Sequence, residues 1–197
     1  MNPNRKPLLQ IFAVVILASI ALQVRGEEQA PKIGDTVQDY EFKTLDGKKL
    51  KLSDLGNKGG VVLVVLRGFP GYQCPICTEQ VAELRKRADD FTKAGATVLL
   101  VYPGDATTLD EHAKEFLKDK ALPAPLILVT DPDYAFIGQH GLRWDAKGET
   151  AYPSAFVLDG DRKVHFAKIS KSHGDRASAE DLVEAARQVR KGDPGSK

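Results

Sequence analysis

Three short runs of the 197-residue chain carry almost no polarity: VVLVVL at 61–66, TVLLVY at 97–102 and LILVT at 126–130. Each is too short for a buried helix and rich in aliphatic and β-branched residues, the mark of a strand covered on both faces. Between them Val81, Leu84, Ala88 and Phe91, then Leu109, Ala113, Phe116 and Leu117, recur at three- and four-residue steps, as amphipathic helices do. Gly95 stops the first helix and Pro123 bounds the second. Buried strands alternating with helices require parallel crossovers and a sheet covered on both sides, an α/β fold.

The flanks add antiparallel pieces, so the sheet is mixed. VQDYEF and KLKL surround Asp46-Gly47 and predict an N-terminal β-hairpin extension. SAFVLD and KVHFAKI flank Gly160-Asp161 and predict a second hairpin. Ser178 caps a final helix, with Asp181 three residues on and Leu182, Val183, Ala186 and Val189 as its apolar stripe, ending at Gly192. The stretch 138–152 is rich in glycine and charge, shows no regular pattern and leads into Pro153.

Residues 1–26 follow another logic: a basic start, the run IFAVVILASIAL broken only by Ser19, then the small residues Val24 and Gly26 before Glu27. This is the pattern of a secretory signal peptide, with an uncleaved anchor as the alternative. Residues 27–197 form one domain, since 42% hydrophobic and 28% charged residues suit a single ordinary core. The net charge is +1, and setting aside Arg5, Lys6 and Arg25 of the leader leaves −2, which argues against nucleic acid as a partner. Export places the protein in the periplasm or cell envelope, and it meets a membrane only if the leader is retained.

Both cysteines, Cys74 and Cys77, lie in LRGFPGYQCPICTEQ. As a staple they would close a loop of four residues, worth only about 2 kcal/mol in the unfolded chain against about 3 for fifteen residues. As a metal clip they lack a second pair, and His112, His140, His165 and His173 are scattered. As a redox centre they are well placed, for Cys74 falls beyond a buried strand at the start of a helix, where amide groups and the helix dipole stabilise a thiolate. Pro75 suits the first helical position. Cys74 is then the exposed nucleophile and Cys77, one turn on, the resolving thiol. A redox-inert exported binding protein with a fixed Cys74–Cys77 disulfide is the reading from a different class.

A strand, a CxxC at a helix start, a crossover and a proline opening a hairpin resemble the thioredoxin fold, with Pro153 in the place of its cis-proline. From about residue 32 to 190, phrases such as VVLVVLRG and FVLDGD are similar to the alkyl hydroperoxide reductase/thiol-specific antioxidant family, the peroxiredoxin-like redoxins. The resemblance implies a thiol oxidoreductase without metal or organic cofactor, reset by an external, thioredoxin-type dithiol donor. It also exposes departures. The family's Pro-x-x-x-Thr-x-x-Cys and its arginine before the FxxD strand are replaced by Arg67, Gly71 and Pro153.

Arg67 is a candidate for lowering the Cys74 pKa and binding a peroxide or sulfenate, and Arg143 is a second. Tyr72, Gly71 and Trp144 are candidates for a rim that receives substrate, whereas Thr78 and Gln80 serve the first helical turn. Cys74 would attack a hydroperoxide or a protein disulfide, and Cys77 would resolve the product to a Cys74–Cys77 bond. The alternative within the class is a thioredoxin-like dithiol-disulfide oxidoreductase without peroxidase activity.

Overall fold

The computed structural model describes residues 29–56, 60–118 and 120–192. The leader at 1–26, with its signal-peptide and anchor readings, lies outside them. No helix among the described residues is long and apolar enough to cross a membrane.

The three apolar runs become β3 (Val61–Val65), β4 (Thr97–Gly104) and β5 (Leu126–Pro132), joined side by side in parallel. The N-terminal hairpin is β1 (Glu41–Thr44) and β2 (Lys49–Lys51), antiparallel to each other, with β1 antiparallel to β5. The second hairpin is β6 (Ser154–Leu158) and β7 (Val164–Ile169), with β6 antiparallel to β3. The result is one seven-stranded mixed sheet, ordered β2-β1-β5-β4-β3-β6-β7.

Strand β3 divides its side chains between two cores, as a pleated strand buried on both faces must. Val62, Val64 and Leu66 pack with α2 (Pro75–Lys86), α3 (Ala88–Ala94), α4 (Leu109–Leu117) and α6 (Ala179–Gly192). Val61, Leu63 and Val65 pack on the other side with Phe42, Leu52 of α1 (Leu52–Leu55), and Phe136 and Ile137 of α5 (Ala135–Gln139). Ser178 forms the expected capping box: its hydroxyl takes the Asp181 N–H at 3.1 Å, and Asp181 accepts the Ser178 N–H at 3.2 Å.

Three expectations need correction. The first helix breaks in two at Arg87, although Gly95 does end the second piece in the left-handed conformation. The strand expected at VQDYEF begins only at Glu41. The stretch 138–152 is less irregular than its sequence suggests: α5 precedes it, and Arg143 and Ala151 form an antiparallel bridge. Helix α5 starts where Asp131, at the end of β5, accepts the N–H groups of Phe136 at 2.7 Å and Ile137 at 3.1 Å.

Candidate active site

From Val65 the chain passes through Leu66, Arg67 and Gly68 to the head of α2. Gly68 sits at φ 76°, and a Cβ there would lie 2.1 Å from the Pro103 carbonyl oxygen. Only glycine lets this loop pack so tightly on the end of β4. Cys74 is the N-cap of α2, in extended conformation, and Pro75 follows. Sulfur makes the cap, for the Cys77 N–H donates to Cys74 Sγ at 3.3 Å. A thiolate at that point meets an otherwise orphaned amide and the positive end of the helix dipole.

Cys77 lies on the face that carries Val81 and Leu84 into the core. Its thiol hydrogen-bonds the Cys74 sulfur, the largest of the influences that lower the Cys74 pKa to about 5. The Cys77 amide, the Arg176 charge and, last, the Arg67 charge act in the same direction, while burial opposes them. The contact with Cys74, together with burial, pushes Cys77 far above the usual thiol range. Both cysteines are free, and these opposite shifts favour a thiolate on Cys74 and a thiol on Cys77 at neutral pH.

The expected exposure of Cys74 is wrong: Cys74 is 2% accessible and Cys77 1%. Arg176, from the loop between β7 and α6, lies against both sulfurs. Its Nη1 and Nη2 each donate to Cys77 Sγ at 3.4 Å, and Nη2 approaches Cys74 Sγ at 3.7 Å. Nη1 also donates to Gln80 Oε1 at 2.7 Å and Nε to the His173 carbonyl at 2.8 Å. Gln80 therefore serves the site rather than only its helical turn. Sequence reasoning missed Arg176, which is 99 residues from Cys77. The available signal was indirect, since a chain with proline in the family's arginine place needs its cation from another loop at the same end of the sheet.

Arg67 is buried at 3% exposure, yet its guanidinium is turned to other partners. Nε donates to Glu149 Oε2 at 2.8 Å, Nη1 to Tyr72 Oη at 2.6 Å and Nη2 to the Gly148 carbonyl at 2.7 Å. Its backbone N–H is what meets the pair, donating to Cys77 Sγ at 3.4 Å. The expected lowering of the Cys74 pKa by its charge holds, as the last of the influences, whereas its side-chain donors are taken by the loop carbonyl, the carboxylate and the Tyr72 hydroxyl and not turned to the sulfur. Glu149 also pairs with His173 Nε2 at 3.0 Å. Against the burial that would raise its pKa, Arg67 and His173 hold the Glu149 carboxyl below its usual range. One carboxylate thus ties the 143–151 loop to the loop that carries Arg176.

Arg143 is engaged away from the cysteines. Its Nη1 donates to the carbonyls of Trp144 at 3.0 Å, Glu149 at 3.3 Å and Thr150, and its guanidinium lies 4.2 Å from the Tyr134 ring centroid. Trp144 stacks on Tyr152 with centroids 4.9 Å apart. Arg143 braces its own loop against Tyr134, and Trp144 also meets the His173 ring at 5.4 Å, on the loop that carries Arg176. Tyr72 is 50% exposed beside the catalytic turn, its hydroxyl held by Arg67, and Gly71 at φ 111° has open space around it. Pro153 is buried next to the end of β3, since Ser154 pairs with Val65. Its peptide bond is trans, not cis; the cis bond among the described residues precedes Pro125. The Tyr152 N–H bonds the Leu142 carbonyl and the Pro153 carbonyl accepts from Ser170, so the chain enters β6 already paired on both sides.

Among the described residues no three His, Cys, Asp or Glu side chains converge as a metal site. Residues 33–167 match the AhpC/TSA family. The chain belongs to that family. It is 30% identical over 141 residues to the 1-Cys peroxiredoxin PER1 of Triticum aestivum, covering 67% of this chain and 61% of that protein, less than two thirds of its length. It is 25% identical over 168 residues to the thiol-disulfide oxidoreductase ResA of Bacillus anthracis, covering 83% and 87%. The solved structure of peroxidoxin BcpB from Mycobacterium tuberculosis is similar with a TM-score of 0.66 and 26% identity, covering 80% of this chain and 97% of that one. This AhpC/TSA chain is a thiol oxidoreductase of the peroxiredoxin-like group on a thioredoxin-like fold.

Proposed function

We propose that the chain is an exported dithiol-disulfide oxidoreductase, with Cys74 the attacking sulfur, Cys77 the resolving one and a protein disulfide the substrate. The observation that carries this is the pairing of the sulfurs at the helix cap, one ionised by the other, with the family's peroxide-framing positions filled by Arg67, Gly71 and Pro153, none of which turns a side-chain donor to the sulfur. In the reaction, the Cys74 thiolate attacks one sulfur of the substrate disulfide, and the other sulfur leaves as thiolate and takes a proton.

The Cys74 charge disappears in the mixed disulfide. Cys77 then loses the contact that holds its proton most strongly, while Arg176 and the Arg67 amide still favour its thiolate. It gives up its proton, attacks Cys74 as thiolate and expels the substrate's remaining sulfur, which takes up a proton, so two electrons and two protons have passed to the substrate. A thioredoxin-type dithiol returns them by the reverse exchange, and no metal or organic cofactor takes part. The periplasm or cell envelope is the compartment that fits the leader and a cycling disulfide.

The second reading, hydroperoxide reduction, rests on Arg176, a guanidinium already at both sulfurs. Stopped-flow mixing of the reduced protein separates the two. Rapid reaction with a protein disulfide, and with hydrogen peroxide no faster than a free thiol, supports the proposal; the reverse pattern overturns it. A Cys74–Cys77 reduction potential below about −300 mV would mark a structural bond and the redox-inert reading instead.

A further inference from the structure

The residue immediately before the nucleophile, Gln73, makes three side-chain hydrogen bonds, none of them to a sulfur. Its Oε1 accepts from the Tyr102 hydroxyl at 2.9 Å, while Nε2 donates to the His112 carbonyl at 2.9 Å and to Glu115 Oε2 at 3.3 Å. Tyr102 belongs to the central strand β4 and is 1% exposed; His112 and Glu115 belong to α4. Both ends of one carboxamide are therefore used, one on the sheet and one on a helix. The same helix holds the catalytic loop a second time, since the His112 ring stacks on Phe69 with centroids 3.6 Å apart and planes 12° from parallel. Burial keeps the Tyr102 hydroxyl protonated far above neutrality, so it remains a donor.

We infer that Gln73 is a positioning residue for Cys74: by clamping the peptide that enters α2 between β4 and α4, it holds the sulfur against the Cys77 N–H. Cysteine has a single side-chain torsion with three staggered wells, so once the Cys77 N–H has selected one of them the position of Sγ follows from where the backbone of this peptide is fixed. The sulfur accepts that N–H at 3.3 Å, and a displacement on the order of 1 Å would end the bond and with it part of the thiolate's stabilisation. A role in folding alone would require only that the loop be covered, not that the residue next to the nucleophile be tied to two separate elements. The inference rests on Cys74 being the attacking thiolate.

The test uses the full chain with Gln73→Leu, Tyr102→Phe and the double variant. Alkylation of Cys74 by iodoacetamide across pH reads the thiolate without any substrate. In Gln73→Leu the midpoint is expected to rise by about one pH unit, and the rate constant for disulfide exchange to fall by roughly ten- to a hundredfold, as misplacement of a reacting group does. Tyr102→Phe, which removes one oxygen and leaves the core filled, should give a smaller shift in the same direction. The double variant should be no worse than Gln73→Leu alone, because both act through one clamp.

If Gln73→Leu lowers the melting temperature but leaves the alkylation midpoint and the exchange rate as in the wild type, or if the two substitutions add in full, the inference fails. Failure of the parent reading looks different, for then Cys74→Ser would keep its turnover whatever the Gln73 variants do.

Discussion

Two regions make this redox centre, and they are built by opposite means. The turn at 66–77 is local: a strand ends, a glycine permits a close approach, a proline starts a helix, and two thiols fall on one helical turn. The loop between β7 and α6 is near only in space, yet it supplies Arg176, the side chain that lies on both sulfurs. The first region places the proposed nucleophile, Cys74, and its partner thiol, Cys77. The second adds positive charge. A candidate nucleophile can thus be read from a few consecutive residues, whereas its electrostatic surroundings belong to the whole fold.

Removing the proposed nucleophile tests the local region most severely: Cys74→Ser should abolish turnover. Cys77→Ser should instead trap a mixed disulfide with substrate, visible by mass spectrometry, and a variant that still turns over would move the chemistry away from the pair. Arg176→Leu tests the distant region. It should raise the alkylation midpoint of Cys74 by roughly 1 to 3 pH units, the usual effect of losing an adjacent opposite charge, and only a rise near the top of that range would slow exchange at neutral pH about tenfold. An unchanged midpoint would mean that the local turn sets the ionisation alone.

The wild-type pH profile sharpens the comparison. With Cys74 lowered to about 5, protonation removes the nucleophile only as pH falls through that value, so alkylation should be flat above about pH 6, where a free cysteine with a pKa near 8.5 is still rising. Smaller effects concern the scaffold. Gly68→Ala forces a Cβ toward the Pro103 carbonyl and should cost on the order of 1–3 kcal/mol in denaturant unfolding. Ser178→Ala loses the capping box before α6 and should cost about 1 kcal/mol.

The alternation of apolar runs and helical stripes was enough to predict the three parallel strands, both hairpins and the final helix, because burial on both faces leaves a periodic trace. Helix α5 left none: it has five residues and starts on the Asp131 carboxylate, a contact that becomes plain only when β5 is known to end there. The cysteine pair and its helical cap were equally legible. The direction of the Arg67 guanidinium was not, since Glu149, its ion-pair partner, is 82 residues away. Pro153 is expected as a cis-proline beside the cysteines, whereas it opens β6 in trans, next to the end of β3, and no local pattern announces that isomer.

Arg176 has a kinetic consequence. The Cys74 sulfur is ionised yet only 2% accessible, so an attack rate that levels off as reagent concentration grows is the expected sign of an opening step before the chemistry, and a rate that stays linear would show that none is needed. The guanidinium that helps to ionise the thiolate also lies 3.7 Å from it, so an incoming sulfur must share that space with an arginine.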